Sequence, residues 1–279
     1  MSDVSDQFNG ENTTVERGKT IAVLNLGYCR LVDWMGDDLS VTNAARASYM
    51  KEVKKLRPAD ERLIGYLAEH GHTSPFRHAM VQLELKAPFM VARQWFKYRV
   101  GSAHSADTVE LLGIEIPEAL LWLGQGDDGG SGFGDLLQGR NEASRRYVTL
   151  APEFYVPEAT AWRSKPELSK QGSGAPVPEP LGREATRRLL ETIERGVESY
   201  EWALANGICA EQARLFLPAY GLMTVWRWTA SVQGVAHFLK QRLADDAQAE
   251  IQQYARAVRD LVMPLFPHSL PRLMRAMQE

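Results

Sequence analysis

The stretch Ala79 to Lys86 most constrains the fold. It alternates without a break, with Ala79, Val81, Leu83 and Leu85 set against Met80, Gln82, Glu84 and Lys86. Successive side chains on a strand point to opposite faces, so this is a half-buried strand with one face on a core. Pro88 ends it and starts a helix. In that helix Val91, Trp95 and Tyr98 share one face, while Arg93, Gln94 and Lys97 share a polar arc, because residues three and four apart are neighbours. A one-sided strand running into an amphipathic helix calls for a sheet with helices laid on it.

The flanking sequence extends this pattern. Thr20 to Leu26 and Tyr28 to Met35 read as strands, followed by a Gly36-Asp37-Asp38 turn and a short helix through Val41 to Ala47 capped by Asp38 or Ser40. Pro58 to His70 is a helix with Leu63, Ile64 and Leu67 on one face and Gly71 past its end. Further on, Leu189, Ile193, Val197, Tyr200 and Leu204 form a stripe that stops at Gly207. Glu211 to Leu217 reads as a short helix. Trp226, Trp228, Val232 and Phe238 continue an apolar helix face, and Gln248 to Met263 is a last long helix. Strands early and helices late predict an α+β fold, an antiparallel sheet flanked by helices with a helical C-terminal third. The expected layout is a disordered tail over 1–18 and a single domain over 19–270, interrupted by an insertion at about 103–140.

Composition narrows the function classes. The net charge of -3 over 279 residues gives no general electrostatic case for nucleic acid or anionic membrane, so any polyanion site must be local. No apolar run reaches the roughly 20 residues of a membrane span. Cys29 and Cys209 are too few for a disulfide framework or a cysteine zinc site; they fit a reducing cytoplasm and read as small buried side chains. His70, His72 and His78 crowd one turn without a carboxylate at usable spacing, which favours a ligand-lining or capping loop over a metal site. The run Gly124 to Gly132 lacks the lysine of a phosphate-binding loop and carries Asp127 and Asp128, so it reads as a mobile insertion.

Basic residues stand out in otherwise apolar or capped surroundings: Arg93, Lys97, Arg99, Arg146, Arg214 and Arg242. Several converging on one pocket would make a mononucleotide or dinucleotide site, since the guanidinium fork suits phosphate and imide-like groups. Alternatively each pairs with a nearby acid, Arg214 with Glu211 and Arg242 with Asp245 or Asp246. No activated nucleophile is evident, as Ser144 has no visible base and neither cysteine has a histidine beside it. Chemistry would then belong to a bound cofactor.

Taken together, several segments resemble the flavin-dependent thymidylate synthase family. They are Leu31-Val32-Asp33, Met35 to Ser40, Ala44-Ala45-Arg46 with Ser48, His70-Gly71-His72 with Ser74-Pro75-Phe76, and Lys86 to Phe96. After a basic triplet come Asn141 to Tyr147, Ala213-Arg214 with Leu217-Pro218, His237-Phe238-Leu239 with Arg242, and Ala247-Gln248 with Glu250 to Ala255. The resemblance implies a homotetramer with shared active sites that methylates dUMP to dTMP, using methylenetetrahydrofolate, FAD and NADPH and no enzyme nucleophile. By position, Gln94, Lys97, Glu142, Ser144, Arg145, Arg146, Arg214 and Arg242 would hold dUMP. Arg242 would stabilise negative charge on the uracil ring. Ser48, His72, Ser74, Lys97, Tyr98, Arg99, Glu142, Ser231, Gln233 and His237 would line FAD, and no metal is implied.

Three departures mark this chain. Lys97-Tyr98-Arg99 replaces the family's Arg-His-Arg, which keeps charge but loses one guanidinium fork and both imidazole nitrogens. Thirty-seven more residues stand between that triplet and Ser144 than the family has. Ser231 and Gln233 occupy positions where other members often carry asparagine and arginine. Two competing readings follow: a flavin- or nucleotide-binding homologue that has lost methyl transfer, and a module stacking single-stranded bases on Trp95 to Arg99 and Trp226 to Trp228.

Overall fold

The computed structural model describes residues 15–98, 108–111, 114–117, 140–142, 151–166 and 172–276. Its centre is the alternating strand. β1 (Thr20–Val23), β2 (Gly27–Met35), β3 (Met80–Pro88), β6 (Arg140–Glu142) and β7 (Met223–Ser231) form one antiparallel sheet in the order β1-β2-β3-β7-β6. β4 (Thr108–Leu111) and β5 (Ile114–Pro117) pair separately within the predicted insertion. The expected 1–14 part of the N-terminal tail and the glycine-rich run lie outside the described residues.

Val81, Leu83, Leu85 and Ala87 are buried on one face of β3, as its alternation requires. Their partners continue the face: Leu31 lies opposite Leu83 and Cys29 opposite Leu85 on β2, while Trp228 and Trp226 lie opposite the same two leucines on β7. β7 is where the structure departs from the sequence reading, which placed Trp226 and Trp228 on a helix. Trp226, Trp228 and Ala230 are buried at a spacing of two with Arg227 and Thr229 between them, and the β-branched Thr224, Val225 and Thr229 favour a pleated strand. The opposite face is polar. There Glu84 accepts from Tyr28 Oη at 3.0 Å, Arg30 Nη1 at 3.1 Å and Arg227 Nε at 3.3 Å, a ladder across three strands.

The described helices fall in two groups, six of them in the core on the apolar face of the sheet and the pair at Glu179–Ala205 and Ala210–Ala213 around a separate small core. They are α1 (Asp38–Arg46), α2 (Pro58–Glu69), α3 (Phe89–Trp95), α4 (Glu179–Ala205), α5 (Ala210–Ala213), α6 (Val232–Arg242), α7 (Ala249–Val262) and α8 (Ser269–Ala276). Helix α8 is absent from the sequence reading; buried Asp38 holds its start, accepting from His268 N at 2.8 Å and Ser269 N at 2.9 Å. Helix α4 begins earlier than its apolar stripe, with Pro180 in its first turn, and ends before Gly207 at φ +79°. Tyr254 of α7 donates to Lys86 O at 2.7 Å across Gly27, where a Cβ would stand 1.9 Å from the phenol oxygen. Buried Asp60 is held by Arg57 at 2.9 Å and by Arg46, which depresses its carboxyl to about 2. Cys29 is buried as expected, but Cys209, immediately before α5, is exposed.

The inner face closes around Trp95. Its ring lies 4.1 Å from Phe238, 5.4 Å from Trp228, 5.7 Å from Trp226 and 6.4 Å from Tyr254, three of these contacts edge-on. Trp95→Ala is therefore expected to cost about 3–5 kcal/mol of stability. The urea unfolding midpoint checks this, and a loss below 1 kcal/mol would deny the indole its central place.

Candidate active site

Helix α3 stops at Trp95, and the Tyr98 N–H closes a turn onto Trp95 O at 2.9 Å. This turn divides the predicted site. Gln94 remains on the helix, half-buried; Arg93 and Lys97 are exposed; Tyr98 turns inward and is 5% exposed. The expected division into an apolar face with Val91, Trp95 and Tyr98 and a polar arc therefore holds.

A cleft of about 550 Å³ opens beside α3. Met90 and Gln94 line it from α3, Arg242 from the end of α6, and Asp246, Gln248 and Glu250 from the turn into α7. Tyr155, Trp162 and Arg163 form the opposing wall. That wall belongs to the irregular connection, which is tied to β7 and α4: Tyr155 N donates to Gly221 O at 2.8 Å, Met223 N to Glu153 O at 2.8 Å, and Trp162 Nε1 to Thr186 Oγ1 at 2.8 Å.

The amides in the cleft are oriented by a carboxylate. Glu250 only accepts, so Gln248 Nε2 donates to it at 2.8 Å and turns its own oxygen toward Gln94 Nε2. Gln94 Oε1 is thereby left as the acceptor. Burial, and then Glu250, hold the Tyr155 phenol well above its ordinary range. Tyr155, Trp162, Arg163, Gln248 and Glu250 received no role from the sequence. The available signal was the polar Gln248-Ala249-Glu250 opening of a strongly one-sided helix; the irregular wall carried no periodic signal.

Arg242 resolves one of the open alternatives. None of the ion pairs among the described residues includes it, so Asp245 and Asp246 leave it unpaired, and its buried Nε has no hydrogen-bond partner there. Its Cζ lies 5.0 Å from the centre of the Tyr98 ring. Tyr98 Oη donates to Gln241 Oε1 at 2.9 Å, and the Gln241 amide stands 3.3 Å from His237 Nε2.

The other predicted residues whose side chains are described do not line the cleft. Arg214 is exposed; its Nε donates to the Glu211 main-chain oxygen at 3.2 Å rather than to the carboxylate, and it does not line the cleft. Ser231 caps α6 by accepting from Gly234 N at 3.1 Å, and Gln233 is buried with its oxygen taken by Arg77 Nε at 2.9 Å. Ser48 and Ser74 are exposed on short 3-10 turns, and His72 is exposed just after α2, its ring 6.2 Å from that of Tyr66. Arg99, Ser144, Arg145 and Arg146 lie outside the described residues. For Glu142 only the backbone is described; it pairs with Trp226, whose ring meets Trp95 and Phe96, so the two halves of the interrupted motif are joined through that indole. Burial of Trp95, Trp226 and Trp228 removes the base-stacking surface that the nucleic-acid reading needs.

This sheet-and-helix layout is that of a UMP/dUMP methylase from Streptomyces cacaoi. Its 5-bromo-UMP complex is 22% identical, with a TM-score of 0.67 over 90% of this chain and 94% of that one. Its 5-bromo-dUMP complex gives 24% and 0.68 over 91% and 97%. The family model described as thymidylate synthase complementing protein matches residues 30–108 and 137–268. A flavin-dependent thymidylate synthase from Thermus thermophilus is 37% identical over 248 residues, covering 89% of this chain and 76% of the relative. Another from Thermosipho africanus is 35% identical over 233 residues, covering 84% of each. The chain belongs to this family of flavin-dependent thymidylate synthases.

His237 gives the site a pH dependence. Burial lowers its pKa, and Lys240 and Arg242 lower it further by like-charge repulsion, with Tyr98 and Gln241 as its neutral neighbours. The folded protein thus resists a proton that the unfolded chain accepts below 6.5, so this contribution is whole above that value and is lost as pH falls toward the folded pKa. Urea midpoints taken from pH 8 down to about 5 are expected to fall less steeply for His237→Gln than for wild type; parallel profiles would remove His237 from the balance.

Proposed function

We propose that this chain is an enzyme that reductively methylates dUMP to dTMP, with methylenetetrahydrofolate as carbon donor and FAD and NADPH as reductant. The observation that carries this reading is Arg242, a cation in no ion pair among the described residues, at the cleft that Gln94 of the motif helix also lines. Names of the relatives, flavin-dependent thymidylate synthases, support the reaction and the flavin. A pyrimidine seated against Arg242 would gain negative charge on its ring as hydride arrives, before the electrophilic one-carbon unit takes up the electron pair, and a fixed guanidinium would stabilise that charge without reorganising. Gln94, its amide turned by Gln248 and Glu250, offers an oxygen to a ring or sugar donor. In this proposal Lys97, Glu142, Ser144, Arg145, Arg146 and Arg214 complete the nucleotide site.

No described cysteine serves as nucleophile at the cleft: burial pushes the Cys29 thiol far up, and Cys209 does not line it. Bound flavin would supply the reducing equivalents taken from NADPH. Exposed hydroxyl, imidazole and ammonium groups on Ser48, Ser74, His72 and Lys97 suit a diphosphate-bearing cofactor, with His237 beside them in role and Arg99 and Glu142 from the motif. Tyr98, Ser231 and Gln233, being buried, would shape that site from behind. The domain proposed for this work spans 19–270 with an insertion at about 103–140; the break in the family match between 108 and 137 supports the insertion, while α8 carries order to Ala276.

The active form we propose is a homotetramer with shared sites. Arg214 lies outside its own chain's cleft, beside Leu215 at 82% exposure, with Tyr220 at 67% nearby, an apolar surface that a second copy would bury. Two unpaired cysteines and no described helix long and apolar enough to cross a membrane support a cytoplasmic setting.

Protein loaded with FAD is expected to form dTMP from dUMP, methylenetetrahydrofolate and NADPH, and Arg242→Ala to lower kcat about 10²–10³-fold. Product chromatography checks both. Reduction of FAD without any dTMP would instead favour a homologue that has lost methyl transfer. Leu215→Glu is expected to shift the assembly to smaller species by light scattering and to remove activity; an active monomer would refute the shared site.

A further inference from the structure

We infer that Tyr98 is a positioning residue for Arg242, its ring carrying the guanidinium and its hydroxyl fixing that ring to helix α6. The inference rests on the reading of Arg242 as the cation facing uracil. An arginine side chain has many rotamers, and proteins commonly hold one with a carboxylate. A carboxylate here would neutralise the charge that has to act on the substrate. An aromatic face holds a cation while leaving its charge in place.

The geometry meets each requirement. Arg242 Cζ lies 5.0 Å from the Tyr98 ring centre, and the arginine takes part in no ion pair among the described residues. Tyr98 is itself immobilised: its ring meets Phe238 edge-on at 5.1 Å and His237 at 5.7 Å, and its hydroxyl donates to Gln241 at 2.9 Å. Gln241 in turn stands 3.3 Å from His237 Nε2. Phe238, Gln241 and Arg242 all belong to α6, so the helix that presents the cation also clamps the platform beneath it. Tyr98 occupies one of the positions where this chain departs from the family triplet. The phenol in this place sets how firmly Arg242 is aimed, which governs turnover more than ground-state binding of the nucleotide.

The test is a double-mutant cycle on the FAD-loaded enzyme. Tyr98→Leu is expected to lower kcat about tenfold with KM for dUMP changed less than about twofold, and Tyr98→Phe, which keeps the ring, to stay within about threefold of wild type. In the Arg242→Ala background Tyr98→Leu should cost less than about twofold, because the ring then has no cation to hold. Equal damage from Phe and Leu, or additive losses in the cycle, would overturn the proposal. A second cycle reads stability, comparing urea midpoints of Tyr98→Leu, Arg242→Ala and the double variant. Non-additive shifts support the pairing and additive shifts refute it, whether or not the wild type makes dTMP. Absence of dTMP from wild type alone would count against the proposed reaction and leave the stability cycle to decide the contact.

Discussion

The packing of Trp95 against Phe238 is the contact on which the rest of the arrangement depends. One partner is the last residue of α3, directly after Gln94; the other lies one helical turn before Arg242 on α6. Fixing the two rings at 4.1 Å therefore fixes the turn that carries the amide relative to the turn that carries the cation. Trp226 and Trp228 press on the edges of the same indole from β7, and Tyr254 does so from α7. Four elements are thus referenced to one side chain. A cleft built from their ends inherits the rigidity of a close-packed interior.

The molecule uses arginine in two contrasting ways. Arg46 and Arg57 converge on buried Asp60, and Arg30 and Arg227 share Glu84 on the outer face of the sheet. In those places charge is answered locally and the field beyond is small. At the cleft the answer is withheld. Arg242 sits in the last turn of α6, where the helix carbonyls favour a cation, yet no carboxylate pairs with it among the described residues. Burial and the cations of Lys240 and Arg242 keep His237 from accepting a proton readily, so the imidazole can receive the Gln241 amide instead of competing with it. Around Arg242 the order comes from packing and from the Tyr98–Gln241 hydrogen bond, while the Glu250 carboxylate orients the amides of Gln248 and Gln94.

How much was legible in the sequence depended on periodicity. β3, α2 and the motif helix were readable because each carries an uninterrupted pattern, and Pro88 marked the join between strand and helix. β7 was not, because Trp226 and Trp228 run directly into the helical residues Val232 and Phe238, and only the register against β3 separates the two periods. Helix α8 escaped because its start is set by Asp38, some 230 residues away in the chain. Gln94 and Arg242, singled out from the motifs, both line one cleft. The opposite wall was invisible, since Tyr155 and Arg163 owe their placement to isolated pairings, Phe154 with Leu222 and Arg163 with Pro176, rather than to any local pattern.

The substituted triplet shows why position in a motif does not by itself assign a role. Lys97 and Tyr98 are adjacent, and both depart from the family residues, but the turn that ends α3 sends them in opposite directions. Lys97 is exposed, so replacing a guanidinium by an ammonium there preserves a charge that acts through solvent and sacrifices only directed hydrogen bonds. Tyr98 is buried among α6 side chains, so its identity acts through packing, on the orientation of its neighbours. The first change bears on surface charge and on directed hydrogen bonding. The second bears on how the site is aimed, and the two are separable because one turn of backbone has placed them on different sides of the same helix end.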